Sequence, residues 1–194
     1  MRDLSISFMQ QKDISSAARA LSVAMFRVPL HIAVFQGQGD KTRRELEQLF
    51  DKLLHDLPGI VFLAKADRRI VGVLRMKSCH GHQKSPKETY QEGLKDMASR
   101  VSYWQSVWAM HDPTEPHWHL GPVGVLPTHQ GSGIGTALLH RFCQEVDACK
   151  AAAYLETDQL LSVRFYKKFD FKVVDEVDIF NVKNFFMWRT PRLQ

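Results

Sequence analysis

Apolar residues along the chain recur in two rhythms, and the switches between them outline its elements. Ser5 to Met9 alternates and predicts a first strand. Ile14 to Phe26 follows helical spacing, with Asp13 placed to cap it and Pro29 interrupting it. Gly37 to Asp40 predicts a loop, and Asp40 or Thr42 starts the next helix. That helix carries Leu46, Leu49, Phe50, Leu53 and Leu54 three and four apart, until Pro58-Gly59 stops it. Ile60 to Ala66 and Ile70 to Met76 flank Asp67-Arg68-Arg69 as a hairpin. A polar, histidine-containing loop covers Ser78 to Pro86, and Tyr90 to Met110 predicts a helix ended by the prolines between His111 and Pro116.

The second half holds a strand–loop–helix–strand unit. Trp118 to Leu126 is a strand, Pro127 to Ser132 a turn, and Gly133 to Ala148 a helix with Ile134, Ala137, Leu138, Phe142 and Val146 on one stripe. Ala152 to Glu156 predicts a strand, Gln159 to Lys168 a short helix, and Phe171 to Val177 and Phe185 to Arg189 the last strands. The fold class is therefore mixed α/β with a central sheet flanked by helices.

Composition narrows the picture only slightly. The chain has 194 residues, 44% hydrophobic, which suits one well-buried core better than two, so a single domain over residues 1–194 is expected. No basic start followed by an apolar run marks a secretory signal, and no stretch reaches the roughly 18 apolar residues that span a bilayer. Cys79, Cys143 and Cys149 form neither a metal-like spacing nor an even-numbered framework, so a reducing, cytoplasmic setting is expected. The net charge of +5 suits an anionic ligand, but Lys and Arg are not clustered with aromatics as nucleic-acid binding requires.

Chemistry concentrates in Gln130-Gly131-Ser132-Gly133-Ile134-Gly135-Thr136, between a strand and a helix. Backbone N–H groups at a helix start have no partner within the helix, and the macrodipole adds positive potential there. Glycines remove side chains that would block a close approach, so amides can hold phosphates. A Walker loop is excluded, because no Gly-Lys-Ser/Thr opens the helix. A dinucleotide fingerprint is excluded by the G-x-G-x-G spacing and its late position.

These residues resemble the GNAT (GCN5-related) N-acetyltransferases, whose signature is Gln/Arg-x-x-Gly-x-Gly/Ala; Gln130, Gly133 and Gly135 occupy its fixed positions. The likeness continues through Tyr154-Leu155-Glu156-Thr157 and through Phe165-Tyr166-Lys167-Lys168-Phe169-Asp170-Phe171. It is specific over Trp118 to Val174 and only topological before. Two positions depart from the family: Ser162 stands where Asn is frequent, and Asp170 where Gly is usual.

The resemblance implies a GNAT fold with a splayed parallel strand pair and direct transfer of acetyl from acetyl-CoA to a primary amine. The acceptor would be a small primary amine or an amino-acid-like molecule, with its identity left open; a CoA-binding module without catalysis is the alternative. The donor would lie on Val123, Gly124 and Val125 and on Gln130, Gly131, Ser132, Gly133, Ile134, Gly135 and Thr136, with Ser162 as a further contact. A backbone N–H near Val123 would polarise the carbonyl, and Tyr166 would act as general acid. His119 matches the family's position for a glutamate or histidine base; a half-buried histidine with a structural hydrogen bond is the other reading. His117 on the same strand face would allow a water relay, and Glu156 is a lesser base. No third ligand joins the two histidines, so no metal is expected, and His80-Gly81-His82 reads as solvent-exposed. Trp104, Trp108 and Trp118 either line the acceptor pocket or pack in the core. Neither nucleic acid nor membrane is an expected partner, and a homodimer is left open.

Overall fold

A computed structural model describes residues 4–81 and 94–192. Seven strands form one sheet in the order β1-β2-β3-β4-β5-β7-β6. They are β1 (Leu4–Phe8), β2 (Ile60–Ala66), β3 (Arg69–Cys79), β4 (His117–Val125), β5 (Ala152–Thr157), β6 (Lys172–Ile179) and β7 (Val182–Arg189). The helices are α1 (Ile14–Met25), α2 (Pro29–Phe35), α3 (Asp40–Asp56), α4 (Met97–His111), α5 (Ile134–Ala148) and α6 (Leu160–Lys167). The mixed sheet flanked by helices agrees with the expected class.

Each face of the sheet has its own apolar core. On one face α5 lays Ile134, Leu138, Leu139, Phe142 and Val146 against β2, β3 and β4. Leu138 and Phe142 are fully buried, each stabilising the fold by roughly 1.5–3 kcal/mol. On the other face α1, α2, α3 and α4 pack Leu21, Val34, Phe50 and Trp104 over Leu63 and Val73. No single helix among the described residues is long and apolar enough to cross a membrane.

All strand pairs are antiparallel except β4 with β5. That parallel ladder pairs only His117 with Ala152, Trp118 with Ala153 and His119 with Tyr154, and then the strands part. The expected splay is present, and it exposes the β4 edge beyond His119. A second irregularity faces it. Leu74 pairs with Val123 and Met76 with Leu120, so Gly121 and Pro122 together oppose Arg75 in a bulge of β4. Proline has no N–H for a ladder and is accommodated at such a bulge.

Three local expectations are corrected. Pro29 does not merely interrupt a helix; it opens the unforeseen α2 at its first position, where the missing N–H is harmless. Asp13 precedes α1 but makes no side-chain cap; its carboxylate accepts from the Gln10 N–H at 3.0 Å and from Lys65 Nζ at 3.2 Å. The polar loop expected from Ser78 begins later, because β3 runs to Cys79. The expected helix start at Tyr90 and residue His82 lie outside the described residues, and α4 is described from Met97.

Candidate active site

At the end of β4 the chain turns through a short 3-10 segment, Pro127–His129, into the glycine loop. Gly131 and Gly133 both have positive φ, 73° and 84°, where an L side chain would be strained. Gly133 is the N-cap of α5, and no side chain caps that helix. The first N–H groups of α5, on Ile134, Gly135 and Thr136, are therefore available to an anion. Gly131, Ser132, Gly133 and Thr136 are exposed, whereas the Ile134 side chain is buried and offers only its backbone.

Two loop side chains brace the loop itself. Gln130 Nε2 donates to the Val125 carbonyl at 3.0 Å, and Ser132 Oγ donates to the His129 carbonyl. Gly124 answers a packing need: a Cβ there would lie 2.9 Å from Ala24 Cβ and 3.1 Å from Leu21 Cδ2, so glycine lets α1 lie close on β4.

Loop and strand gap open on a cavity of about 900 Å³. Val123, Gly124, Val125, Gln130, Gly131 and Gly135 line one end, with Ser162 and Tyr166 of α6 beside them. Ser132, Gly133, Ile134 and Thr136 are not among its lining residues. The lining residues fit a phosphate-bearing thioester: the backbone of Gly131 and Gly135 at one end, and an unladdered strand edge leading inward.

The inner part holds the titratable groups. His119 Nε2 lies 2.7 Å from Glu156 Oε2, with the side chains only 15% and 6% exposed. A carboxylate can only accept, so the shared proton sits on Nε2. His119 Nδ1 is buried with no hydrogen-bond partner. Tyr166 packs against Phe165 and Phe171, and burial pushes its phenol above the usual value. It is thus protonated at neutral pH.

His117 and His119 have separate partners. His117 is buried beside Tyr154 and Trp188, with Nδ1 2.8 Å from the Glu115 carbonyl, and it does not line the cavity. Its Nε2 is 3.5 Å from Asp112 Oδ1, an ion-pair distance. Burial pushes its pKa down, but Asp112, Cys79 and the Glu115 carbonyl raise it more, to about 10. Cys79, Asp112 and His117 bring their donor atoms within 4.8 Å of one another, a grouping invisible in the spacing of the cysteines.

The aromatic expectations divide. Trp104 and Trp108 meet edge to face at 4.9 Å, belong to the core and also line the cavity. Trp118 packs into the opposite core with α5 and does not line the cavity. His80 is exposed.

Among the lining residues that sequence reasoning missed are two titratable ones, Asp158, half-buried, and Arg75, buried. Asp158 Oδ2 accepts from the Leu30 N–H at 2.6 Å, tying the start of α2 to the turn after β5. Burial pushes its carboxyl pKa up, partly offset by that hydrogen bond. Arg75 is 3% exposed and lines the cavity from β3. Neither lies in a motif; a charged residue inside an apolar strand run was the available signal for Arg75.

One cavity with an anion-binding loop at one end and buried proton-carrying groups at the other is the layout of a group transferase with a phosphorylated donor. Comparison with known proteins makes that class specific. Residues 30–171 match the Acetyltransferase (GNAT) family, and the chain belongs to it. Solved structures share its fold. A structure described as histone acetyltransferase HPA2 and related acetyltransferase, from Corynebacterium glutamicum, is 20% identical with a TM-score of 0.75 over 100% of this chain and 99% of that one. Drosophila melanogaster polyamine N-acetyltransferase is 12% identical, TM-score 0.67, over 95% and 99%. A GNAT acetyltransferase from Brucella melitensis in complex with acetyl-CoA is 16% identical, TM-score 0.58, over 100% and 93%.

Proposed function

We propose that the protein transfers acetyl from acetyl-CoA directly to the primary amine of a small acceptor. The observation that carries this reading is the His119–Glu156 pair, which shares one cavity with Tyr166 and the glycine loop. The Brucella melitensis relative, crystallised with acetyl-CoA, supports the choice of donor.

An alkylammonium has a pKa near 10.4, so freeing its lone pair at pH 7 costs about 4.6 kcal/mol. Glu156 Oε2 lies 2.7 Å from His119 Nε2, and both side chains line the cavity. The pair takes the acceptor's proton as a unit, with the buried carboxylate stabilising the imidazolium. The freed amine attacks the thioester carbonyl, whose oxygen is polarised by a backbone N–H near Val123. As the C–S bond breaks, the Tyr166 hydroxyl hydrogen-bonds the departing sulfur, and the second proton that the attacking nitrogen sheds on becoming an amide goes to the thiolate, giving CoA thiol. His117, already paired with Asp112 and outside the cavity, has no part.

The test is an amine panel with detection of released CoA thiol, beside calorimetry of acetyl-CoA binding. Acetylation of at least one amine, weakened in His119→Ala and Glu156→Gln, is the expected result. Binding of ATP or NAD in place of acetyl-CoA sinks the proposal.

A further inference from the structure

Arg75 lines the cavity without a carboxylate partner among the described residues. A guanidinium stays protonated at any ordinary pH. Here it is 3% exposed, and among the described residues it has one acceptor: Nη2 donates to the Pro58 carbonyl at 2.5 Å. Its Nε is buried without a hydrogen-bond partner. No carboxylate among the described residues acts on it; only burial and the Cys79 thiol do. Removing an ion from water without a counterion is costly by several kcal/mol. Arg100, also buried and hydrogen-bonded to no carboxylate among the described residues, gives two of its nitrogens to carbonyls, whereas Arg75 gives one.

The surroundings are shaped around this group. A Cβ at Gly59 would lie 3.0 Å from Arg75 Nε and 3.1 Å from Cζ, so the turn after α3 has no side chain where the guanidinium lies. Lys77 follows two residues later, on the same face of β3, and also lines the cavity. In the sheet register Lys77 stands opposite His119 on β4, and His119 reaches Glu156 on β5. One floor thus runs from cationic to proton-accepting across three strands, roughly 10 Å at the usual strand spacing. Trp104, Trp108 and Leu53 supply apolar wall.

We propose that Arg75, assisted by Lys77, is an anion subsite of the acceptor pocket, and that the acceptor is an amine bearing a carboxylate on an apolar body. This rests on the acetyl-transfer reading of the cavity. The carboxylate docks on Arg75 and supplies its missing counterion, which turns the amine toward His119 and Glu156. A polyamine or simple alkylamine leaves the guanidinium unpaired and adds a like charge beside it.

Two measurements on the full chain test the two layers separately. The first is binding without turnover: 3-phenylpropionate against 3-phenylpropanol, with CoA present, followed by quenching of tryptophan fluorescence. The acid should bind at least about 10-fold more tightly, as a charge-assisted hydrogen-bond pair warrants. Arg75→Met should erase the preference while leaving acetyl-CoA binding unchanged by calorimetry. The second is turnover of phenylalanine and tryptophan against phenethylamine and tryptamine. The amino acids should have the higher kcat/KM, by about 100-fold where a buried polar group would otherwise stay unpaired, and Arg75→Met should level the two classes.

Equal binding of acid and alcohol by the wild-type protein overturns the subsite, and that comparison decides even where Arg75→Met does not fold. A preference that survives Arg75→Met overturns the assignment to Arg75. Preference for the acid with no amine acetylated sinks the acetyl-transfer reading and leaves the anion subsite standing.

Discussion

Tyr166→Phe isolates one atom of the proposed reaction, and its size is predictable. The Tyr166 ring packs on Phe165 and Phe171, and no hydrogen bond perturbs its hydroxyl, whose pKa is raised by burial alone. Phenylalanine keeps those ring contacts, so the melting temperature should hold. Ordinary pKa values are about 10 for a phenol and about 8.5 for a thiol, so complete proton transfer to the leaving sulfur is uphill by about 2 kcal/mol. Burial of Tyr166 enlarges that gap, while the same dry cavity also raises the thiol. Tyr166 therefore acts chiefly as a hydrogen-bond donor to developing negative charge on sulfur. Losing one hydrogen bond to a charged group costs about 1.5–3 kcal/mol, hence a roughly 10- to 150-fold lower kcat. KM for acetyl-CoA should stay within about threefold, since the interaction strengthens only as charge develops. Steady-state thiol release at saturating substrates gives kcat, and a pre-steady-state trace shows whether chemistry limits it. A kcat within about threefold of wild type, with no burst in either protein, refutes the role.

The remaining predictions separate stability from donor binding. Arg189 is 1% exposed, donates to Asp147 at 2.7 and 3.0 Å and to the Phe169 carbonyl at 3.0 Å; Arg189→Met should cost about 3 kcal/mol, lowering Tm by roughly 6–12 °C in a melt followed by circular dichroism. Asp170 has φ 67°, so Asp170→Gly should relieve about 1–2 kcal/mol of left-handed strain, offset by about 0.5–1 kcal/mol of chain entropy, and raise Tm by a few degrees. Its ion pair with Arg192 is exposed on both sides and adds little. Gly133→Val places a branched side chain at φ 84° on the anion loop; KM for acetyl-CoA should rise at least about tenfold, with kcat at saturation nearly unchanged.

How much was legible in the sequence follows from how local each signal is. The strand, glycine loop and α5 were readable because their determinants are consecutive: an apolar run, glycines where φ must be positive, then a stripe at helical period. The family segment around Tyr166 lay within the same stretch. Contacts between distant segments were not readable. Asp158 meets Leu30 across 128 positions, and no pattern near either announces it. The grouping of Cys79, Asp112 and His117 depends on the β3–β4 register, in which Cys79 stands opposite His117. Alternation put His117 and His119 on one face, but Glu156 claims one and Asp112 the other. Pro29 misled because proline ends a helix and starts one equally well.

The bulge of β4 ties these features into one device. A regular ladder would set a single β4 residue opposite Arg75; instead Gly121 and Pro122 fill that place, and pairing resumes at Val123. The extra residue shifts the strand's alternation between His119 and Val123. His119 can thus face the α3 and α4 side with Arg75 and Lys77, while the strand beyond the bulge presents its backbone edge to the gap left by β5. The proposed donor edge and acceptor floor come from the same strand, a few residues apart, and a one-residue bulge serves both. Deleting one residue there should restore the ladder and reverse the alternation of β4 beyond it, turning the proposed donor edge away from the proposed acceptor floor; acetyl transfer, followed by CoA thiol release, should then be lost.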